Sequence, residues 1–136
     1  MTRRRSRFVV PGRVRLDLSD GDWVEVKRRL TYAEQQELLW HAVEAMRNVE
    51  NAEGQREYVF TKTGTNLKRL KVWLLGPGGR GVWSLRDDDD YPVDCDSDAI
   101  DHLDPDTAAE IVEALDHYEA ELDAEKNRPA PGMKSW

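Results

Sequence analysis

The sequence predicts an α+β fold, in which an N-terminal β-hairpin is followed by a mainly helical small domain with an acidic C-terminal helix. Residues 13–27 alternate apolar and charged side chains on both sides of an Asp-Gly pair. Three later stretches repeat apolar residues every three or four positions, the last of them among many acids. A chain of 136 residues fits one core. We predict a flexible basic arm at 1–12, a single domain at 13–126 and a flexible tail at 127–136.

The predicted hairpin begins with the pattern Arg-Val-Arg-Leu-Asp-Leu at residues 13–18. Alternation places Val14, Leu16 and Leu18 on one face of a strand and the charged side chains on the other. The turn that follows contains an Asp-Gly pair, a strong signal for a tight hairpin. Residues 23–27 then resume the extended pattern.

The first helix is predicted from residue 32 to about residue 49. Thr31 and Glu34 have the spacing of a capping box, in which the hydroxyl and the carboxylate satisfy free amides at a helix start. Trp40 and Val43 are expected at the edge of its apolar stripe. The predicted stripe consists of Gln35, Leu38, Leu39, Ala42, Ala45, Met46 and Val49.

The middle of the chain is less clearly patterned. Residues 57–63 are compatible with a short strand or a helical turn. A helical face formed by Leu67, Leu70, Trp73 and Leu74 follows, with Thr65 or Asn66 as a possible cap. The glycine-rich run at 76–81 ends that helix, and residues 82–85 are expected to form a brief strand.

Two helices are predicted in the C-terminal half. Ser97 is a candidate cap for a short helix that reaches Leu103. Asp104 and Pro105 form a clearer start, with Asp at the cap and Pro at the first helical position. The last helix extends to about Lys126. Its apolar side chains lie on one face, and acids occupy most of the remaining surface.

Charge is strongly separated along the chain, although the net charge is only -7. Residues 87–125 contain seventeen carboxylates and no Lys or Arg, whereas the first thirty residues contain nine basic groups and four acidic ones. Such separation usually concerns partners, solubility and self-contact rather than catalysis.

Several classes of chemistry find no support in the sequence. The single cysteine, Cys95, excludes an intrachain disulfide and a multi-cysteine zinc site. Residues 94–98 match the first three ligand positions of a calcium loop, but Ala99 and Pro105 occupy the positions of its glycine and bidentate glutamate. The aspartates at 87–90 are expected to form a solvated acidic turn, with loose cation binding as the alternative. We predict no metal site and no cofactor.

Catalytic and membrane signatures are also missing from the sequence. The run at 76–81 lacks the Gly-Lys-Ser/Thr of a phosphate-binding loop, and Pro77 removes a backbone donor. The chain has no nucleophile elbow and no carboxylate pair that stands out from its other acids. It also has no signal-peptide core and no apolar run of about 20 residues. We therefore predict a soluble cytoplasmic protein that is not an enzyme and does not bind a membrane.

The order of these segments resembles a known family. The run VRLDLSDGDWVEVK at 14–27, followed by LTYAEQ at 30–35 where a helix begins, resembles the start of tail assembly chaperones of long-tailed bacteriophages of the siphophage type. Later runs are similar to the same family: WLL at 73–75, VWSLRD at 82–87, YPV at 91–93, and the acidic helix after LDP at 103–105. The resemblance covers residues 13–126 and rests on the pattern and order of segments.

The resemblance implies a role in viral tail assembly in the cytoplasm of the host cell. A protein of this family coats the tape measure protein and recruits tail tube subunits around it without entering the finished particle. An uncovered tape measure exposes apolar helix stripes, which a small acidic protein with an apolar helix face could shield while its charge keeps the complex dispersed. Self-association of the chain is a further possibility that the sequence leaves open.

The partner surface is predicted on the last helix and the tail. The expected contact residues are Ile111, Leu115, Tyr118, Leu122 and Trp136. A large aromatic in a polar tail suits an interface anchor. Packing within the chain's own core is the alternative explanation for the residues on the helix.

Two other functions remain open from the sequence. The first is a structural protein that joins head to tail or parts of the tail in the virion. The second is a small regulator that binds nucleic acid through counterion release by an arginine cluster. That cluster consists of Arg3, Arg4, Arg5 and Arg7. Nucleic acid is not the expected partner, because the carboxylates at 87–125, which we call the acidic block, would repel a phosphate backbone.

Overall fold

The computed structural model describes residues 7–51 and 58–126, and it confirms the α+β class. Strand β1 (Arg13–Asp17) pairs antiparallel with β2 (Trp23–Lys27). In this register Val14 lies opposite Val26 and Leu16 lies opposite Val24, so one face of the hairpin is apolar as predicted. The predicted flexible arm and tail lie partly or wholly outside the described residues.

The hairpin turn uses the Asp-Gly pair that the sequence singles out. Asp20 and Gly21 have positive φ angles of 59° and 78°, as a type I′ turn requires at its two central positions. The backbone N–H of Asp22 donates to the carbonyl of Ser19 at 3.1 Å and closes the turn. Glycine and aspartate tolerate this left-handed conformation better than most residues.

Helix α1 (Tyr32–Asn51) begins with the predicted capping box. The amide of Glu34 donates to the Thr31 hydroxyl at 3.2 Å, and the amide of Thr31 donates to the Glu34 carboxylate at 2.9 Å. Lys27 pairs with the same carboxylate. Partial burial acts to raise the pKa of Glu34, but the bonds from Lys27 and Thr31 outweigh it and leave that pKa below its ordinary value.

Helix α2 (Tyr58–Leu74) is one continuous helix of 17 residues, which corrects one prediction and decides between two alternatives. Thr65 and Asn66 lie inside the helix, so neither caps it. Of the two alternatives for residues 57–63, the helical one holds over the described residues 58–63. The β propensity of residues 58–60 is overridden by packing. The helix face formed by Leu70, Trp73 and Leu74 packs into the core and keeps the segment helical.

After α2, a short 3-10 turn (Pro77–Gly79) leads into β3 (Arg80–Gly81), which pairs antiparallel with β4 (Cys95–Asp96). The predicted strand at 82–85 is displaced toward the N-terminus. Residues 82–84 nevertheless lie beside β2 and bond to it. The amide of Glu25 donates to the carbonyl of Val82 at 2.9 Å, and the amide of Ser84 donates to the carbonyl of Trp23 at 3.0 Å.

Helix α3 (Ser97–Asp101) is shorter than predicted and has a different cap. The carboxylate of Asp96 accepts from the amide of Ala99 at 2.8 Å, so Asp96 rather than Ser97 caps the helix. Helix α4 (Pro105–Lys126) starts as predicted, with the Asp104 carboxylate accepting from the amide of Thr107 at 3.3 Å.

One hydrophobic core joins the hairpin, α2, the segment after it, α3 and α4. The described part of the chain has no buried charged or polar residue. The buried side chains are Val24, Val26, Leu30, Leu70, Val72, Trp73, Leu74, Trp83, Cys95, Ile100, Ile111 and Leu115. None of the helices within residues 7–51 and 58–126 combines the length and the apolar character needed to span a bilayer.

Candidate partner-binding surfaces

Two of the predicted contact residues are core residues in this fold. Ile111 and Leu115 are both 0% exposed and belong to the cluster that α4 forms with the hairpin and α2. A side chain without accessible surface cannot contact a partner unless the domain opens. Packing within the chain's own core, the alternative that the sequence left open, therefore accounts for these two positions.

Tyr118 connects α4 to the loop after β2 through a hydrogen bond. Its hydroxyl donates to the carbonyl of Arg28 at 2.6 Å, and its ring meets Trp73 edge to face with centroids 6.2 Å apart. Burial raises the pKa of Tyr118, which favours the protonated hydroxyl that donates this bond. The contacts of Tyr118 are thus internal to the domain.

Among the predicted contact residues on α4, Leu122 borders a groove at the protein surface. The groove measures about 480 Å³ and lies between the end of α4, the start of α1 and the loop that joins β2 to α1. The indole N–H of Trp73, also at this groove, has no hydrogen-bond partner among the described residues. The apolar side chains at the groove are Leu30, Trp73 and Leu122, and its charged ones are Arg29, Glu119, Asp123, Glu125 and Lys126.

Of the predicted tail anchor and the arginine cluster, the structure describes only Arg7. Trp136 and the arginines Arg3, Arg4 and Arg5 lie outside the described residues, and Arg7 is exposed. The proposed tail anchor and three of the four arginines in the cluster therefore lie outside the part of the chain that the structure describes.

A second apolar surface lies on α1, and we call it the α1 face. Its five members are between 37% and 77% exposed. They are Tyr32, Leu39, Trp40, Val43 and Met46. Monomeric soluble proteins rarely leave contiguous apolar surface of more than a few hundred Å² uncovered without a functional reason. The α1 face is therefore the strongest candidate for partner binding in the described chain.

The α1 face corrects the predicted apolar stripe of the first helix. Leu38 packs against the core, but Leu39 and Met46, which the predicted stripe also includes, are more than half exposed. The predicted stripe is wider than the surface that is covered, because one neighbouring helix covers only a narrow sector of α1. Val49 lies where side chains are not described. A detectable signal was present: Tyr32, Leu39, Val43 and Met46 recur at helical spacing.

The charges on α1 are mainly acidic, with Arg47 as its one basic residue. Among its described side chains, residues 32–46, it carries Glu34, Glu37 and Glu44 and no Lys or Arg. Glu34 pairs with Lys27, and Glu37 pairs with Lys68 of α2 at 2.6 Å. Glu44 has no ion pair with any side chain that the structure describes. Glu44, one helical turn after Trp40, therefore places a negative charge at the edge of the α1 face.

Part of the acidic block has a structural role. The side chain of Arg69 on α2 is only 17% exposed, and its guanidinium pairs with Asp116 at 2.7 Å and with Glu119 at 2.6 Å on α4. Burial acts to lower the pKa of Arg69, but the hydrogen bonds that its guanidinium donates to both carboxylates outweigh burial and raise that pKa. These carboxylates attach α4 to α2, and exposed acids such as Glu113 and Glu121 remain free to set the field around the protein.

The aspartate run at 87–90 forms a tight turn. The Asp87 carboxylate accepts from the amides of Asp89 and Tyr91, both at 3.0 Å, and the amide of Asp87 donates to the carbonyl of Tyr91 at 3.0 Å. Within residues 7–51 and 58–126, no group of three or more His, Cys, Asp or Glu is placed to hold a metal ion.

Cys95 is expected to be almost unreactive in the folded protein. Burial raises the pKa of its thiol to about 11, so the thiolate is scarce near neutral pH. We expect reaction with a disulfide reagent at pH 8 to be at least about 100-fold slower for the native chain than for the chain in guanidinium, since an ordinary thiol has a pKa near 8.5. Stopped-flow absorbance measures both rates. A native rate within tenfold of the denatured one would contradict the burial of this side chain.

Comparisons with protein-family models, with curated proteins and with solved structures found no match to this chain. The likeness to tail assembly chaperones therefore remains a resemblance in the order and pattern of segments. The surfaces that the fold displays have to supply any further argument about function.

Proposed function

We propose that this chain is a tail assembly chaperone of a long-tailed bacteriophage, which binds the tape measure protein and recruits tail tube subunits in the cytoplasm of the host cell. The observation that carries the proposal is the α1 face, an apolar helix surface left uncovered on an acidic domain. The order of motifs along residues 13–126 supports the same role through its resemblance to that family.

The physical requirements of such a role match the described surfaces. A chaperone for an unassembled helical protein has to cover apolar stripes and keep the complex from aggregating. The α1 face offers apolar contact area, including the aromatic side chains Tyr32 and Trp40. A net charge of -7 makes complexes repel one another and stay dispersed.

Co-expression with the gene neighbours of the same phage tests the proposal. We expect the tape measure protein to be insoluble when it is expressed alone, and to become soluble and co-purify when this chain is present. Mass spectrometry of purified particles is expected to find no copies of the chain, because an assembly factor leaves before the tail is complete.

Two results would favour the other functions instead. Detection of the chain at fixed copy number in mature particles would identify a structural joining protein. DNA binding that weakens steeply with salt and disappears when Arg3, Arg4, Arg5 and Arg7 become Ala would identify a regulator. Either result, together with failure to retrieve the tape measure protein, would overturn the proposal.

A further inference from the structure

We propose that the α1 face binds a single amphipathic helix of a partner protein whose apolar stripe is flanked by Lys or Arg. The inference deepens the proposed function and rests on it for the identity of the natural partner. The choice of surface and the chemistry of its ligand are carried by the burial and charge of the described residues.

The shape of the α1 face fits a helix. Tyr32, Leu39, Val43 and Met46 lie close to one line along α1, because their spacings of seven, four and three residues are near whole numbers of helical turns. From Tyr32 to Met46 this line is about 21 Å long at 1.5 Å per residue. A partner helix of about 14 residues would match it.

The exposed atoms of the α1 face also favour a helix over a strand. The backbone groups in the middle of α1 bond within the helix, so an extended segment could not pair with them as it pairs with a sheet edge. Contact must come from side chains, and helices pack on one another through ridges of side chains at these spacings. Trp40, beside the line, is the residue type that most often dominates such interfaces.

Charge selects among the possible occupants. The 20 residues of α1 contain four Glu and one Arg, and the whole chain has a net charge of -7. A second copy would bring the same negative charge to the interface, which opposes self-association. A partner helix with basic flanks gains attraction to Glu44 and to the acidic field of the domain, so it is the favoured occupant.

Designed peptides test the surface without the natural partner. Three labelled peptides of equal length are needed: a Leu-striped helix with Lys flanks, the same stripe with Glu flanks, and a scrambled Lys peptide of identical composition. We expect fluorescence anisotropy to show that the Lys-flanked helix binds the intact chain at least about tenfold more tightly than either of the others. Raised salt should weaken this binding without abolishing it.

Variants locate the binding on the α1 face. We expect Leu39→Ala with Trp40→Ala to weaken binding of the Lys-flanked helix at least about tenfold, and alanine preserves the helix itself. Val82→Ala with Tyr91→Ala removes comparably exposed apolar side chains elsewhere and should leave the affinity within twofold. Circular dichroism and thermal unfolding confirm that both double variants remain folded.

Three outcomes would overturn the inference. The first is equal affinity for wild type and the Leu39/Trp40 variant, and the second is equal affinity for the helical and scrambled Lys peptides. The third is a wild-type dimer in sedimentation analysis that this variant abolishes, which would make a second copy the occupant.

The inference and the proposed function can fail separately. If the Lys-flanked helix binds as expected but co-expression retrieves no tape measure protein, the surface stands and the chaperone role falls. If the tape measure protein co-purifies equally well with the Leu39/Trp40 variant, the role stands and the α1 face is not its binding surface.

Discussion

Leu115→Ala is expected to lower the free energy of unfolding by about 3 kcal/mol, because the substitution leaves a cavity in the core in addition to the lost apolar burial. Leu115 is 0% exposed and lies at the contact of α4 with the rest of the core. A domain of this size has only about 5–15 kcal/mol of stability, so the loss is large. Urea unfolding followed by circular dichroism measures it.

A matched variant separates a core role from a partner-binding role. Leu39→Ala makes the same chemical change on another helix, at a side chain that is 57% exposed, and should cost less than about 1 kcal/mol. We also expect Leu39→Ala, unlike Leu115→Ala, to reduce partner affinity while stability is retained. If Leu115→Ala left the unfolding midpoint unchanged and reduced partner binding, Leu115 would belong to the interface after all.

The parts of the fold that the sequence predicted well depend on near neighbours in the chain. The type I′ turn needs only Asp20 and Gly21, and the capping box needs only Thr31 and Glu34. The start of α4 needs only Asp104 and Pro105. Each of these signals acts within four residues, so no knowledge of the tertiary fold is required to interpret it.

Distant contacts decide the one segment that the sequence left open, and one predicted cap is wrong by a single residue. Residues 58–63 have local β propensity, yet they continue a helix whose other end is anchored in the core by Trp73 and Leu74. Asp96 caps α3 instead of Ser97, a shift of one residue that lies within the usual uncertainty of helix boundaries.

The candidate site was harder to predict than the fold. Both α1 and α4 show apolar side chains at helical spacing, and that pattern does not reveal which face meets the domain and which remains uncovered. The core covers the stripe of α4 at Ile111 and Leu115, whereas part of the stripe on α1 remains exposed at Leu39 and Met46. Only the arrangement of helices around the hairpin distinguishes the two.

Gly81→Ala is expected to destabilise the domain by about 3 kcal/mol, at the upper end of what overpacking usually costs. A Cβ atom at Gly81 would lie 2.4 Å from the carbonyl oxygen of Leu74 and 2.8 Å from the sulfur of Cys95. The first contact is with the backbone at the end of α2, which a side-chain rotation cannot relieve. β3 must therefore move away from α2 or from its partner strand β4.

Gly12→Ala is the control for Gly81→Ala. A Cβ atom at Gly12 would meet only the Arg28 side chain, at 3.5 Å, which is an ordinary contact. We expect Gly12→Ala to change the free energy of unfolding by less than about 0.5 kcal/mol. Adding Cys95→Ala to Gly81→Ala should restore only part of the loss, since it removes the sulfur contact and leaves the Leu74 carbonyl in place. Full recovery in that double variant would show that the thiol, and not the backbone of α2, makes glycine necessary at this position.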